Sequence, residues 1–153
     1  MIKKKGIRYW KAKVWNEFSR YVRIRDALRT TGTIDKCVCC SCGKILPAFG
    51  LKCIQAGHFI PGRRSAILFE ETGVHGQCYW CNSNMGLRGN WPGYYAFMLK
   101  EYGQEEIDRL LALRHQIRKF NVGELETMCD LYKYRYNWMK EHKRESDFLE
   151  MLK

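Results

Sequence analysis

Two C-x-x-C pairs with a histidine between them are the residues of this 153-residue sequence best spaced for chemistry. The first pair lies in KCVCCSCGK, residues 36–44, which holds two overlapping possibilities, Cys37 with Cys40 and Cys39 with Cys42. The second is Cys78 with Cys81 in CYWC. Four thiolates in two such pairs suit tetrahedral zinc. Glycine often follows the second cysteine of a zinc knuckle, because it lets backbone amides turn toward the sulfurs. Gly43 follows Cys42, which favours Cys39 and Cys42 and leaves Cys37 and Cys40 spare. Four thiolates close the coordination sphere, so the expected Zn²⁺ is structural. A redox protein built on C-x-x-C would need no zinc and is the weaker reading.

Between the pairs lies AGHF, residues 56–59. A histidine titrates near neutral pH, at about 6.5 when unperturbed, and can be a base, a ligand or a satisfied core residue. The cysteines bracket a strand carrying His58, a loop and a second strand, with a helix starting near Cys78 or Cys81. That order is a β-hairpin followed by a helix. The run Ala66 to Phe69 reads as strand or extended loop. Cys53 has no partner spacing, and Cys129 reads as an inert core thiol.

The flanking elements that must position this segment are helical. Residues 9–30 repeat apolar groups at helical spacing, Trp10, Val14, Phe18, Tyr21 and Leu28, with Arg20, Arg23, Arg25 and Arg29 among the remainder. A basic face on that helix could track phosphates, and TTGT, residues 30–33, ends it. Residues 94–153 return to helix. One segment stops at Gly103, a second spans 105–114, and Asn121 with Glu124 resembles a capping box opening a long helix. Its stripe is Leu125, Met128, Tyr132, Arg135 and Met139. Residues 146–153 read as a short or frayed helix. His115 and His142 lie in charged helical surroundings and should be solvated. The expectation is a single α+β domain over residues 1–153, with residues 37–92 as the chemical core.

Lysine and arginine number 27 against 16 acidic residues, a formal charge of +11. Such a balance is unusual for a metabolic enzyme and points to a polyanion, nucleic acid first. No apolar run approaches the roughly 20 residues needed to cross a bilayer, and the first residues lack a signal-peptide stretch, so no membrane association is expected.

The stretches CSCGK, QAGHFIPGR, LFEE, VHGQCYWCN and YYAFMLKEYGQEEID resemble the NinG/Rap recombination nucleases of lambda-like bacteriophages, within the HNH (His-Me finger) endonucleases. The helix WNEFSRYVRIRDAL adds to a likeness that covers residues 10 to 135 or so. The resemblance implies a zinc-stabilised ββα-metal core flanked by an N-terminal basic helix and several C-terminal helices. It implies metal-dependent cleavage of branched DNA such as Holliday junctions and D-loops, in the cytoplasm of the phage-infected bacterial host. His58 would be the general base. Asn82, directly after Cys81, would be a ligand of a catalytic Mg²⁺ or Mn²⁺. Two positions depart from the HNH pattern. Gly57 stands where many relatives carry Asp or His, and Gly73 stands where many carry Asn. His75, on the expected second strand, could fill the gap as a ligand or be a structural hydrogen-bonding histidine. Gln55, Gln77, Glu70 and Glu71 are weaker candidates. Arg63, Arg64 and Arg88 flank this site and could hold phosphates. Symmetric cutting of a junction needs two active sites, hence an expected homodimer. The competing reading is a zinc-stabilised DNA-binding or adaptor module without chemistry, which Gly57 and Gly73 favour.

Overall fold

The computed structural model describes residues 5–83 and 89–143. Arg88 and the expected helix at 146–153 lie outside them. Among the described residues the chain is α+β, with four helices and two small two-stranded sheets. The long helix α1, Ile7–Thr31, ends where Gly32 adopts a left-handed conformation and donates its N–H to the Leu28 carbonyl at 2.9 Å. Its apolar stripe is buried as the spacing predicts, through Val14, Phe18, Tyr21 and Leu28. The stripe packs on α4, Val122–His142, where Leu125, Tyr132, Tyr136 and Met139 are buried. Phe18 meets Tyr132 edge to face at 4.8 Å between ring centroids, a geometry that adds to the burial of both rings.

Two hairpins lie against this helical pair. In the first, β1, Lys36–Val38, pairs antiparallel with β2, Ile45–Pro47. In the second, β3, Gln55–His58, pairs antiparallel with β4, Val74–Gln77, so that Gly57 opposes His75 and His58 opposes Val74. The short helix α2, Tyr79–Asn82, follows immediately. The run Ala66 to Phe69 forms a turn and not a strand. All four of these side chains are buried, Leu68 and Phe69 in the α1–α4 core and Ile67 in a second core with α3. A strand would have turned alternate members of the run toward opposite faces.

Helix α3, Trp91–Leu113, is broken at Gly103, whose φ of 81° is left-handed. The expected stop is therefore real, and the second segment continues almost directly behind it. Asn90 caps the start through its Oδ1, which accepts from the Gly93 N–H at 3.1 Å. Asn121 likewise caps α4 by accepting from the Glu124 N–H at 2.8 Å. Among the described residues no helix is long and apolar enough to cross a membrane.

Arg25 corrects the picture of a solvated basic face on α1. It is only 2 % exposed. Its guanidinium donates to the Asp26 carboxylate at 2.7 Å, to the Val74 carbonyl at 2.7 Å and to the Glu71 carbonyl at 2.9 Å. Val74 opens β4 and Glu71 lies in the short 3-10 turn before it, and a buried acceptor without a donor is costly. Arg25 thus ties the second hairpin to α1.

Candidate active site and zinc centre

Cys39, directly after β1, and Cys42, in the turn that follows, meet Cys78 and Cys81 at the two ends of α2. Their four Sγ atoms all lie within 4.8 Å of one another. Tetrahedral coordination at a Zn–S distance near 2.3 Å requires sulfurs about 3.8 Å apart, and Cys42 and Cys78 stand at 3.8 Å. The Cys78 N–H also donates to the Cys39 sulfur at 3.2 Å. Geometry and donor chemistry both fit zinc. The spare cysteines are elsewhere. Cys37 is fully buried against Gly76, and burial pushes its thiol up to about 12. Cys40 packs against the α3 core, and burial likewise raises it. Both are inert thiols.

The four-cysteine cluster joins α2 to the turn after β1, and the Asn82–Gln55 hydrogen bond brings Asn82 to the histidine strand. An open cleft of about 550 Å³ runs beside it, lined by His58, Gln55, Gln77, Asn82, Arg23, Arg63, Trp15, Trp91 and others. His58 lies with its Nε2 3.1 Å from the Leu68 carbonyl. A carbonyl only accepts, so Nε2 carries the proton, and in a neutral ring Nδ1 keeps its lone pair. Burial lowers the His58 pKa to about 4; the Leu68 carbonyl opposes this and the Arg63 charge adds to it. The ring is therefore neutral at pH 7. Trp15 of α1 stacks on it with centroids 5.0 Å apart and planes 15° apart. The Arg63 guanidinium sits 4.3 Å from the centre of the Trp15 ring.

Gly57 is where the absence of a side chain matters. A Cβ there would collide with Gln77 Oε1 and approach Asn82 Oδ1 to 2.9 Å. Two amide oxygens thus converge on the place a residue-57 side chain would occupy. Asn82 is oriented by donating from Nδ2 to Gln55 Oε1 at 2.8 Å. Gln77 is oriented by donating from Nε2 to Ser41 Oγ at 2.7 Å.

His75 does not fill the gap beside His58. It is 2 % exposed and lies outside the cleft lining. Its Nδ1 is 3.1 Å from both Asp26 Oδ2 and Arg25 Nη2. Its Nε2 is 3.1 Å from the Tyr102 hydroxyl and 3.2 Å from the Thr72 carbonyl. Both nitrogens are engaged, which leaves none for a metal. Glu70 and Glu71 are also spent elsewhere, Glu70 on Arg109 and Glu71 on Tyr21 and Arg135. Gly73 is buried beside Leu110 and leaves no opening for a ligand.

With this geometry in hand, the family is decided by one comparison. The model of the family described as Bacteriophage Lambda NinG protein matches residues 1–145. The chain belongs to that family. No curated protein and no solved structure matches it.

In this NinG-family chain the cleft carries, among the described residues, the guanidinium groups of Arg63 and Arg23. Arg64 is exposed on the same turn as Arg63 but does not line the cleft. His115 and His142 are exposed, as expected. Trp15, Trp91 and Tyr94 are site residues that sequence reasoning missed. Tyr94 donates its hydroxyl to the Gly57 carbonyl at 2.8 Å, and the Trp91 indole donates to the Phe59 carbonyl at 3.1 Å. Each bond fixes the backbone beside His58 from α3. Trp15 lies off the stripe of its helix, so periodicity gave no signal for it. No carboxylate lines the cleft among the described residues.

Proposed function

We propose that the protein is a structure-specific DNA endonuclease with an HNH-type ββα-metal core, acting on branched recombination intermediates such as Holliday junctions and D-loops. The observation that carries this is His58, a neutral imidazole with Nε2 committed to a carbonyl and Nδ1 available, at the edge of a basic cleft shared with Asn82. A base for phosphodiester hydrolysis needs these properties.

In the reaction, Nδ1 of His58 takes a proton from the attacking water as its oxygen bonds to phosphorus. The bond to the leaving oxygen then breaks. Arg63 and Arg23 hold flanking phosphates, and Trp15 keeps the imidazole plane fixed. Mg²⁺ or Mn²⁺, when bound, relieves charge on the scissile phosphate and the leaving oxygen. Asn82 Oδ1, with the Gln77 or Gln55 amide oxygen, would hold that ion. Such neutral donors suit a hard cation only in company with a phosphate, since Mg²⁺ normally takes carboxylates as well. The scissile phosphate is the natural anionic ligand here.

That lack of a carboxylate is also what favours the second reading, a zinc-stabilised DNA-binding or adaptor module without chemistry. A labelled four-way junction and a matched linear duplex, incubated with EDTA, Mg²⁺ or Mn²⁺, separate the two. Metal-dependent cutting of the junction by wild type and not by His58→Ala is the expected result. Tight binding without cutting under every metal would establish the module instead. We further infer a homodimer working in the cytoplasm of the infected bacterial host. Sedimentation at monomer mass with junction cleavage retained would overturn the dimer.

A further inference from the structure

Helix α2 carries two large aromatic side chains in water, Tyr79 at 55 % and Trp80 at 66 % exposure. They stand between Cys78 and Cys81, on a turn whose two ends both enter the four-cysteine cluster. Their rings meet edge to face, 5.9 Å apart at 76°. The same turn ends in Asn82, which lines the His58 cleft. The backbone carrying the aromatic pair is therefore tied down at both ends and lies within one helical turn of the proposed chemistry. The stretch of chain around it is basic. From residue 36 to residue 100 the chain holds seven lysines and arginines and only two carboxylates, Glu70 and Glu71, both of which are ion-paired.

An exposed aromatic face on an anchored turn in a basic stretch of chain suits a nucleobase on a phosphate backbone, because every base offers a π-face. Bases inside a linear duplex are already stacked on each other. Bases at a branch point can expose a face. A second copy of the chain is a poorer occupant. Two side chains fall far short of the roughly 800 Å² per partner of a stable interface. We propose that Tyr79 and Trp80 form a stacking wedge for an unpaired base at the branch point, and so supply the preference for branched over linear DNA. This rests on the DNA-binding half of the reading above and not on the cleavage step.

The test uses the full chain with its zinc and no added Mg²⁺ or Mn²⁺. The probes are a four-way junction with 2-aminopurine at the branch and a linear duplex of the same sequence. Wild type should quench the branch fluorophore. Trp80→Ala should abolish that quenching and bind the junction about ten-fold more weakly, the loss expected of one base–aromatic stack, with duplex affinity unchanged. Trp80→Phe should restore part of both. Tyr79→Ala, with zinc content measured, serves if Trp80→Ala fails to fold. Equal weakening on junction and duplex would overturn the wedge, as would unchanged junction affinity. Dissociation of a dimer by Trp80→Ala with DNA affinity intact would assign the surface to a second copy. Wild type that quenches and binds but never cuts when Mg²⁺ or Mn²⁺ is added would sink the nuclease reading and leave the wedge standing. Wild type that binds neither DNA would sink both.

Discussion

His58 and His75 sit on adjacent strands of one hairpin, one register step apart, and have opposite chemistry. His58 gives one nitrogen to a carbonyl and keeps the other. His75 has partners at both, in a buried cluster with Arg25, Asp26 and Tyr102. Burial lowers the pKa of both rings, although Asp26 opposes it at His75. Neutrality is therefore shared, and does not distinguish the reactive ring from the structural one. The difference is a lone pair left unspent beside an open cleft. Alternation along the strands produces it: His58 opposes Val74, so neighbouring histidines are sent to opposite faces.

The largest expected effect removes the common support of both rings. Cys81→Ser should abolish stoichiometric zinc and unfold residues 37–92, because structural zinc contributes folding free energy outright. Zinc content and a circular dichroism melt check this. Retained wild-type melting in a zinc-free protein would show that the hairpins stand without the cluster.

The two histidines should then part company. His58→Ala should lower cleavage by about 10²- to 10⁴-fold, the usual worth of a general base, with little change in melting temperature. His75→Ala should instead cost about 2–4 kcal/mol of stability, since it leaves a cavity and removes hydrogen-bond partners of buried Asp26 and Tyr102. Cleavage per folded molecule should survive. Burial alone would raise the Asp26 carboxyl, but the Arg25 charge and the hydrogen bonds from Arg25 and His75 reverse this and hold it well below the usual range. Its contribution to stability is thus present above the unfolded value near 3.9 and lost as pH falls through the folded one. Denaturant titrations of the two variants, paired with single-turnover cleavage, test the division. Equal losses of activity and stability in both would erase it.

Much of this was legible in the sequence. The Cys39/Cys42 and Cys78/Cys81 spacing foretells the four-cysteine cluster, and the interval between the pairs encodes a hairpin with His58 on its first strand. The Asn121 cap, the Gly103 break and the α1 stripe follow from local rules that depend on few residues. The rest depends on pairs far apart in sequence. Arg25 and Asp26 read as helix surface because charged residues are usually solvated, and only the approach of β4 buries them. Trp15 and His58 are 43 positions apart, and nothing in the α1 periodicity marks Trp15 as more than a neighbour of the stripe. Whether His75 was ligand or core partner depended on strand register, which spacing alone leaves open.

The pH behaviour sharpens the comparison further. His58 has a folded pKa near 4 against about 6.5 unfolded. Between those values the unfolded chain binds the extra proton, so this residue makes stability fall as pH drops from about 6.5 to 4. The acidic limb of kcat/KM reports the base in the free enzyme and should lie near pH 4 instead of 6.5. Trp15→Ala opens the ring to water and should move that limb upward. A limb already near 6.5 in wild type would mean that the titrating base is not this buried ring.

The smallest effect belongs to Arg63, whose guanidinium lies over Trp15 and faces the cleft. If it holds one phosphate, Arg63→Ala should weaken binding to branched and linear DNA alike. It should also lower the slope of log affinity against log salt by about 1. Arg64→Ala, one residue along but outside the cleft, is the control and should leave the slope nearly unchanged. Arg63 also lowers the His58 pKa by its charge, so its removal should raise the acidic limb slightly while the melting temperature stays constant. A reduced salt slope with an unmoved limb would leave Arg63 a DNA contact and no more. A moved limb with an unchanged slope would make it part of the imidazole's environment alone.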